Sequence, residues 1–254
     1  MSLRLTPAVK FLLAACLAMF LVHHTVDQFF GGNLIGLLGL SPAGFVFEHK
    51  FWQLFTYSFL HGDVMHFFLN MLMLAFLGGE IEALWGTARF VRFYLLCSTA
   101  GGLTYLLLQL VTGAAISHVP MVGASGALYG LLMAYGLLFG ERVLLFMMVF
   151  PMKAKFFVWI LAGLELMTTV FSPHGGVASA AHLGGMVAGF LALWGQARWR
   201  IWQRSRGDGG GWGRKPSVFS KRSPKAQHLK LVINNEKKVE LRARDEDEKP
   251  PTFH

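Results

Sequence analysis

Gly123-Ala124-Ser125-Gly126 opens a helical run that continues through Tyr129 and Gly130. A serine between glycines is a weak signal, because its ordinary job at a helix start is to cap backbone N–H groups. Its setting is less ordinary. It follows a loop at residues 112–122 and begins an apolar segment, residues 123–138, in a chain made largely of such segments. A hydroxyl at membrane depth needs a partner. The other polar residues inside the apolar segments are therefore the ones to place.

Of the 254 residues, 54% are hydrophobic and 15% charged, against about a quarter charged in a soluble domain. Apolar runs cover residues 8–24, 63–77, 91–111, 123–138, 156–171 and 177–193. They predict an all-α membrane protein whose residues 1–197 form a bundle of six transmembrane helices. Asp63 suits the N-cap of the second span, and Gly78-Gly79 ends it. The connection at residues 25–56 is long and rich in Phe and Leu, so it is expected to lie in the bilayer interface or pack on the bundle. Residues 143–155 hold an apolar stretch too short to cross, then Pro151, Lys153 and Lys155; they read as an interfacial connection. The N-terminal segment resembles a signal peptide but lacks a clear cleavage site, and is expected to remain as the first span.

The net charge of +9 is localised: 15 of the 23 Lys and Arg residues, and 7 of the 14 acidic ones, follow position 197. Residues 198–254 thus read as a basic, mostly disordered cytoplasmic tail, with Leu229–Ile233 the one candidate strand. Weak attraction to anionic lipid headgroups is expected of such a tail; nucleic-acid binding is not. Arg4, Lys10, Arg89, Arg92, Arg142, Lys153 and Lys155 lie at the ends or in the loops on one side, and Lys50 alone on the other. Both termini are therefore expected to be cytoplasmic, and a bacterial inner membrane is the expected location. Cys16 and Cys97 sit in apolar runs, which gives no disulfide framework and no zinc spacing.

With this topology spans two, four and six start on the outer side, and each carries polar residues in its first turns. His66 and Asn70 share one face of the second, and Ser125 and Tyr129 one face of the fourth. His182, Gly185 and Gly189 share a face of the sixth, and Gly126 and Gly130 form another small-residue pair on the fourth. Such pairs let backbones approach closely, which would bring His182 within reach of Ser125. That is a nucleophile with a general base. His66, Asn70 and a backbone N–H near Gly123 are candidate oxyanion donors. No carboxylate is an obvious third member: Asp63 reads as an N-cap, and Glu165, well inside the fifth span, has no partner readable from sequence.

At this point the chain resembles the rhomboid intramembrane serine proteases. His66-Phe67-Phe68-Leu69-Asn70 is similar to the family's HxxxN, Gly123-Ala124-Ser125-Gly126 to its GxSG, and Ala181-His182-Leu183-Gly184-Gly185 to its AHxxG. The resemblance covers roughly residues 46–192. It implies Ser125 as nucleophile and His182 as base in a Ser-His dyad, with His66 and Asn70 beside the oxyanion. Tyr129 resembles the aromatic that packs on the catalytic imidazole, and His61 a histidine five residues before HxxxN. Gly78-Gly79 and Glu82 resemble the turn after span two. The family often has Trp-Arg in the long first loop; here it is Trp52-Gln53, which loses the charge and fork of Arg. The fifth span and outer loops are gate elements by the same resemblance.

The resemblance implies an endopeptidase that cuts transmembrane segments of membrane proteins in the lipid bilayer, with no cofactor and no metal. The rivals are a catalytically silent rhomboid-like chaperone or adaptor, against which both Ser125 and His182 speak, and an ion-conducting bundle using His66, His182 and Glu165.

Overall fold

The protein is described as a computed structural model, which covers residues 4–113, 117–146, 150–172, 176–207, 229–233 and 239–243. Helix α1 (Pro7–Phe29) begins with proline in its first turn, where a missing N–H costs nothing. Its N-terminus is held by Glu82 from far along the chain. The carboxylate accepts the N–H groups of Ala8 and Val9, each at 3.0 Å, together with the Thr6 hydroxyl. Thr87 Oγ1 donates to it as well, at 2.7 Å. A carboxylate at a helix N-terminus satisfies orphan donors and complements the helix dipole.

The long apolar connection then folds into three short helices, α2 (Leu34–Leu38), α3 (Pro42–Val46) and α4 (Gln53–Thr56), followed by a 3-10 turn at Tyr57–Phe59. Gln53 is fully buried and holds them together. Its Nε2 donates to the carbonyls of Gly36 (3.2 Å) and Leu37 (3.3 Å), and its Oε1 accepts the Ser41 N–H at 3.2 Å. A neutral amide therefore does the anchoring, without the charge of an arginine. A β-bridge between Leu40 and Met121 ties this connection to the loop before Ser125.

Helices α5 (Val64–Met73) and α6 (Gly79–Trp85) are joined through a π turn at Leu74–Gly78 into one apolar stretch. Then come α7 (Thr87–Val111), α8 (Ser125–Leu138), a hairpin of β1 (Val143–Phe146) and β2 (Phe150–Lys153), α9 (Ala154–Phe171) and α10 (Gly176–Gly207). Among the described residues five helices are long and apolar enough to cross a membrane: Pro7–Phe29, Val64–Trp85, Thr87–Val111, Ala154–Phe171 and Ala178–Gln203. The remaining apolar helix, α8, has 14 residues, about 21 Å of rise, short of the ~30 Å hydrocarbon core. It is the centre of the bundle: Leu128, Leu131, Leu132 and Tyr135 are buried on it, packed with Phe90 and Tyr94 of α7 and Leu74 of the π turn. Ser125 is the first residue of this short central helix.

The boundaries differ from the sequence expectation in identifiable ways. α1 runs five residues past 24, and α10 continues to Gly207, because Arg, Gln, Trp and Ala after residue 193 are sound helix formers even when charged. The connection at residues 143–155 contains a hairpin, since Val143–Phe146 and Phe150–Lys153 pair antiparallel. The chain divides into two compact units, Met1–Ile201 and Trp202–His254. In the second, Leu229–Ile233 is a strand and pairs with Val239–Ala243, which sequence alone did not suggest. The expectation of disorder for the rest of the tail falls on residues 208–228, 234–238 and 244–254, outside the described residues.

Candidate active site

The site forms where the N-terminal turns of α5, α8 and α10 meet. Ser125 is the first residue of α8, and the sharp approach to it depends on Gly123, whose φ of +126° suits only glycine. Gly123 N–H is fixed to the Tyr57 carbonyl at 3.0 Å. A methyl group at Gly123 would stand 2.8 Å from both Cε1 and Nε2 of His66. Backbone conformation and the room needed by His66 thus both require glycine there, and His66 lies beside the serine across that gap.

The approach of α10 to α8 depends on small residues. A Cβ at Gly185 would lie 1.9 Å from the Gly126 carbonyl oxygen, and one at Gly189 2.9 Å from that of Gly130. Gly130 is closed in by Cys97 of α7, whose Sγ would be 2.4 Å from an added Cβ. The two backbones are in contact, and only hydrogen at these positions permits it. The result is a hydrogen bond of 2.8 Å between Ser125 Oγ and His182 Nε2.

Tyr129, one turn along α8, stacks flat on the imidazole: the ring centroids are 4.2 Å apart and the planes 5° from parallel. Glu165 of α9 meets the other side of the same histidine. Its Oε1 is 3.1 Å from His182 Nδ1 and also accepts the Tyr129 hydroxyl. A carboxylate thus stands within reach of His182, where the sequence showed no obvious third member beside the Ser-His pair. The acid was visible in the sequence; its partner was not. With Nδ1–H donating to a carboxylate, Nε2 carries the lone pair that faces Ser125, so the serine hydroxyl is the donor in that bond.

His66 and Asn70 stand on one side of this group. Asp63 Oδ1 caps α5 by accepting the His66 N–H at 2.8 Å, and Asn70 Nδ2 donates to the His66 carbonyl at 2.7 Å. One amide proton of Asn70 is thereby spent on its own helix. Its second N–H, the His66 ring and the N–H groups of the first turn of α8, which have no intrahelical acceptor, are the donors available to a developing oxyanion. His61 is fully buried behind them, its ring edge-on to His66 at 5.2 Å. Burial, with the neighbouring His66 and His23 rings, holds its basicity down at about 4, so it is neutral at physiological pH. His23 Nε2 donates to the His61 carbonyl at 3.0 Å, which links α1 to the site.

Comparison with known proteins identifies relatives of this chain. Residues 48–199 match the Rhomboid domain family. RHOMBOID-like protein 1 of Arabidopsis thaliana is 33% identical over 186 residues, covering 70% of this chain and 45% of that protein. Rhomboid protein 1, mitochondrial, of Saccharomyces cerevisiae is 34% identical over 139 residues, 54% of this chain and 39% of its own length. Rhomboid protease GlpG of Enterobacter sp. (strain 638) is 27% identical over 139 residues, 55% of this chain and 46% of its own. The chain thus spans about half the length of the curated relatives it matches. A helical membrane bundle that assembles the HxxxN, GxSG and AHxxG residues at one end, and matches the Rhomboid domain over residues 48–199, makes this chain a member of the rhomboid family.

Proposed function

We propose that the protein is an intramembrane serine endopeptidase that cleaves transmembrane segments of other membrane proteins. The observation that carries this reading is the 2.8 Å bond between Ser125 Oγ and His182 Nε2. Ser125 transfers its proton to Nε2 as Oγ attacks the scissile carbonyl carbon, and the carbonyl π electrons move onto oxygen. His66, Asn70 and the first N–H groups of α8 receive that oxyanion; one such donor is typically worth ~3 kcal/mol of transition-state stabilisation. As the C–N bond breaks, the imidazolium gives its Nε2 proton to the leaving amine. Water, deprotonated by the same nitrogen, then hydrolyses the acyl-enzyme. Protein groups and water suffice for every step.

A helical substrate carbonyl is already hydrogen-bonded, so the cut bond must be unwound. Substrates with small or helix-destabilising residues near the cut fit this requirement. The excess of Lys and Arg on one side supports an orientation with both termini in the cytoplasm, of a bacterial plasma membrane on the reading preferred here, and a basic tail that contacts anionic lipids. The test is cleavage of a panel of transmembrane segments by purified protein in liposomes, with Ser125→Ala beside the wild type. Cleavage abolished by that substitution supports the reading. A wild-type protein that cuts none of them, and reacts with no serine-directed phosphonate, overturns it in favour of a silent adaptor.

A further inference from the structure

Helix α9 is held to the bundle unevenly. Ala154 and Val158 are buried at its start, and Leu161 and Ala162 are half-buried against the core. Its outward face is exposed along its length, Phe156, Trp159, Ile160 and Leu164 included, but beyond Glu165 no apolar side chain packs inward: Leu166, Met167, Val170 and Phe171 are all exposed. Glu165 is therefore where packing gives way, and its own side chain is only 13% exposed. An acid at this depth is costly unless its oxygens are partnered. Here the partners are His182 Nδ1 at 3.1 Å and the Tyr129 hydroxyl, with Ser179 on α10 facing the same carboxylate. The group thus joins three helices, and every donor it uses belongs to the site or to the turn of α10 that carries it.

We propose that Glu165 is the positioning residue of a Ser125–His182–Glu165 triad, and that seating of α9 completes it. This rests on the proteolytic reading above. Glu165 accepts Nδ1–H throughout and does not itself take a proton. It fixes the tautomer that leaves Nε2 free for Ser125, and its charge stabilises the imidazolium once Nε2 has accepted the serine proton. The Tyr129 hydroxyl donates to the same carboxylate oxygen while the tyrosine ring supports the face of the imidazole. Because the carboxylate is on α9 and the base on α10, withdrawal of α9 from the bundle removes the imidazole's partner and switches off the base.

The charged and titratable groups around His182 are Glu165 on α9, Tyr129 on α8 and His66 on α5, with Asp63 near His66. Of these only Glu165 touches Nδ1. The experiment measures kcat, KM and the pH dependence of kcat/KM for cleavage of a transmembrane segment by wild type, Glu165→Gln, Glu165→Asp and Ser125→Ala, with Tm for each. Glu165→Gln keeps the shape and removes the charge. It is expected to lower kcat on the order of 10⁴-fold, leave KM within a factor of about three, and move the acid limb of the profile to lower pH. A purely structural glutamate would change Tm without moving that limb. Should the Gln variant fail to fold, Glu165→Asp decides: it keeps the charge but withdraws it by about one C–C bond, ~1.5 Å, and is expected to lose kcat at unchanged KM. A Gln or Asp variant with wild-type kcat and an unmoved acid limb overturns the triad and leaves the protease reading standing. A wild type no more active than Ser125→Ala overturns both.

Discussion

Buried polar side chains decide most of the chemistry at the residue scale, and their protonation sets how the site responds to acid. His61 is fully buried, and burial keeps its ring down at about 4 against an ordinary 6.5. A group whose basicity is depressed on folding binds fewer protons folded than unfolded. Its contribution to stability is present above pH 6.5 and is lost as pH falls from 6.5 toward 4. Thermal unfolding in detergent should therefore show Tm falling by roughly 5 °C or more across that window. A His61→Gln variant should show a visibly flatter dependence; an unchanged slope in that variant would assign the acid sensitivity to another group.

At the scale of elements, the contact between α8 and α10 leaves no room for side chains at its glycines. A Cβ on Gly185 would overlap the Gly126 carbonyl, so Gly185→Ala must push the helices apart. It is expected to cost about 1–3 kcal/mol and to lose cleavage more than stability, because Ser125 and His182 sit on the two separating helices. Gly163→Ala on α9 is the control: an added Cβ there meets nothing within 4 Å, and replacing a mid-helix glycine should leave Tm level or slightly raised. Circular dichroism melts and cleavage rates on the pair check this. The same contact explains how much of the site was legible. Polar residues in apolar helices stand out, and the 3.6-residue period puts His66 with Asn70 and Ser125 with Tyr129 on common faces. Glycines at matching intervals then indicate which helices approach. The rotation of α9 is different. That helix is apolar nearly all round, so no stripe marks its inner face, and the acceptor role of Glu165 toward His182 appears only when the helices are packed. The capping of α1 by Glu82 was hidden likewise, because a contact 73 residues distant in sequence leaves no local pattern. Gln53 lacks the charge and fork of an arginine but keeps its hydrogen-bonding capacity, and its amide serves three backbone groups.

At the scale of the whole molecule, the proposed orientation in the membrane rests on the distribution of charge. Arg142, Lys153 and Lys155 lie at one end and Lys50 at the other, and each can be replaced by cysteine in a chain whose own thiols, Cys16 and Cys97, are buried. In sealed right-side-out vesicles Lys50→Cys should react with a membrane-impermeant maleimide, and Lys153→Cys only after permeabilisation. The reverse pattern would place the active-site end on the cytoplasmic side and undo the charge reading. The short α8 carries the proposed nucleophile as its first residue. Its activation is the claim on which everything else depends. The most direct measurement is covalent labelling of purified protein by a fluorescent serine-directed phosphonate, followed by mass spectrometry of the labelled peptide. The adduct is expected on Ser125, absent in Ser125→Ala and strongly reduced in His182→Ala, with all three proteins equally folded. An intact, folded wild type that takes no label, or labels as well without His182, contradicts an activated serine in this site.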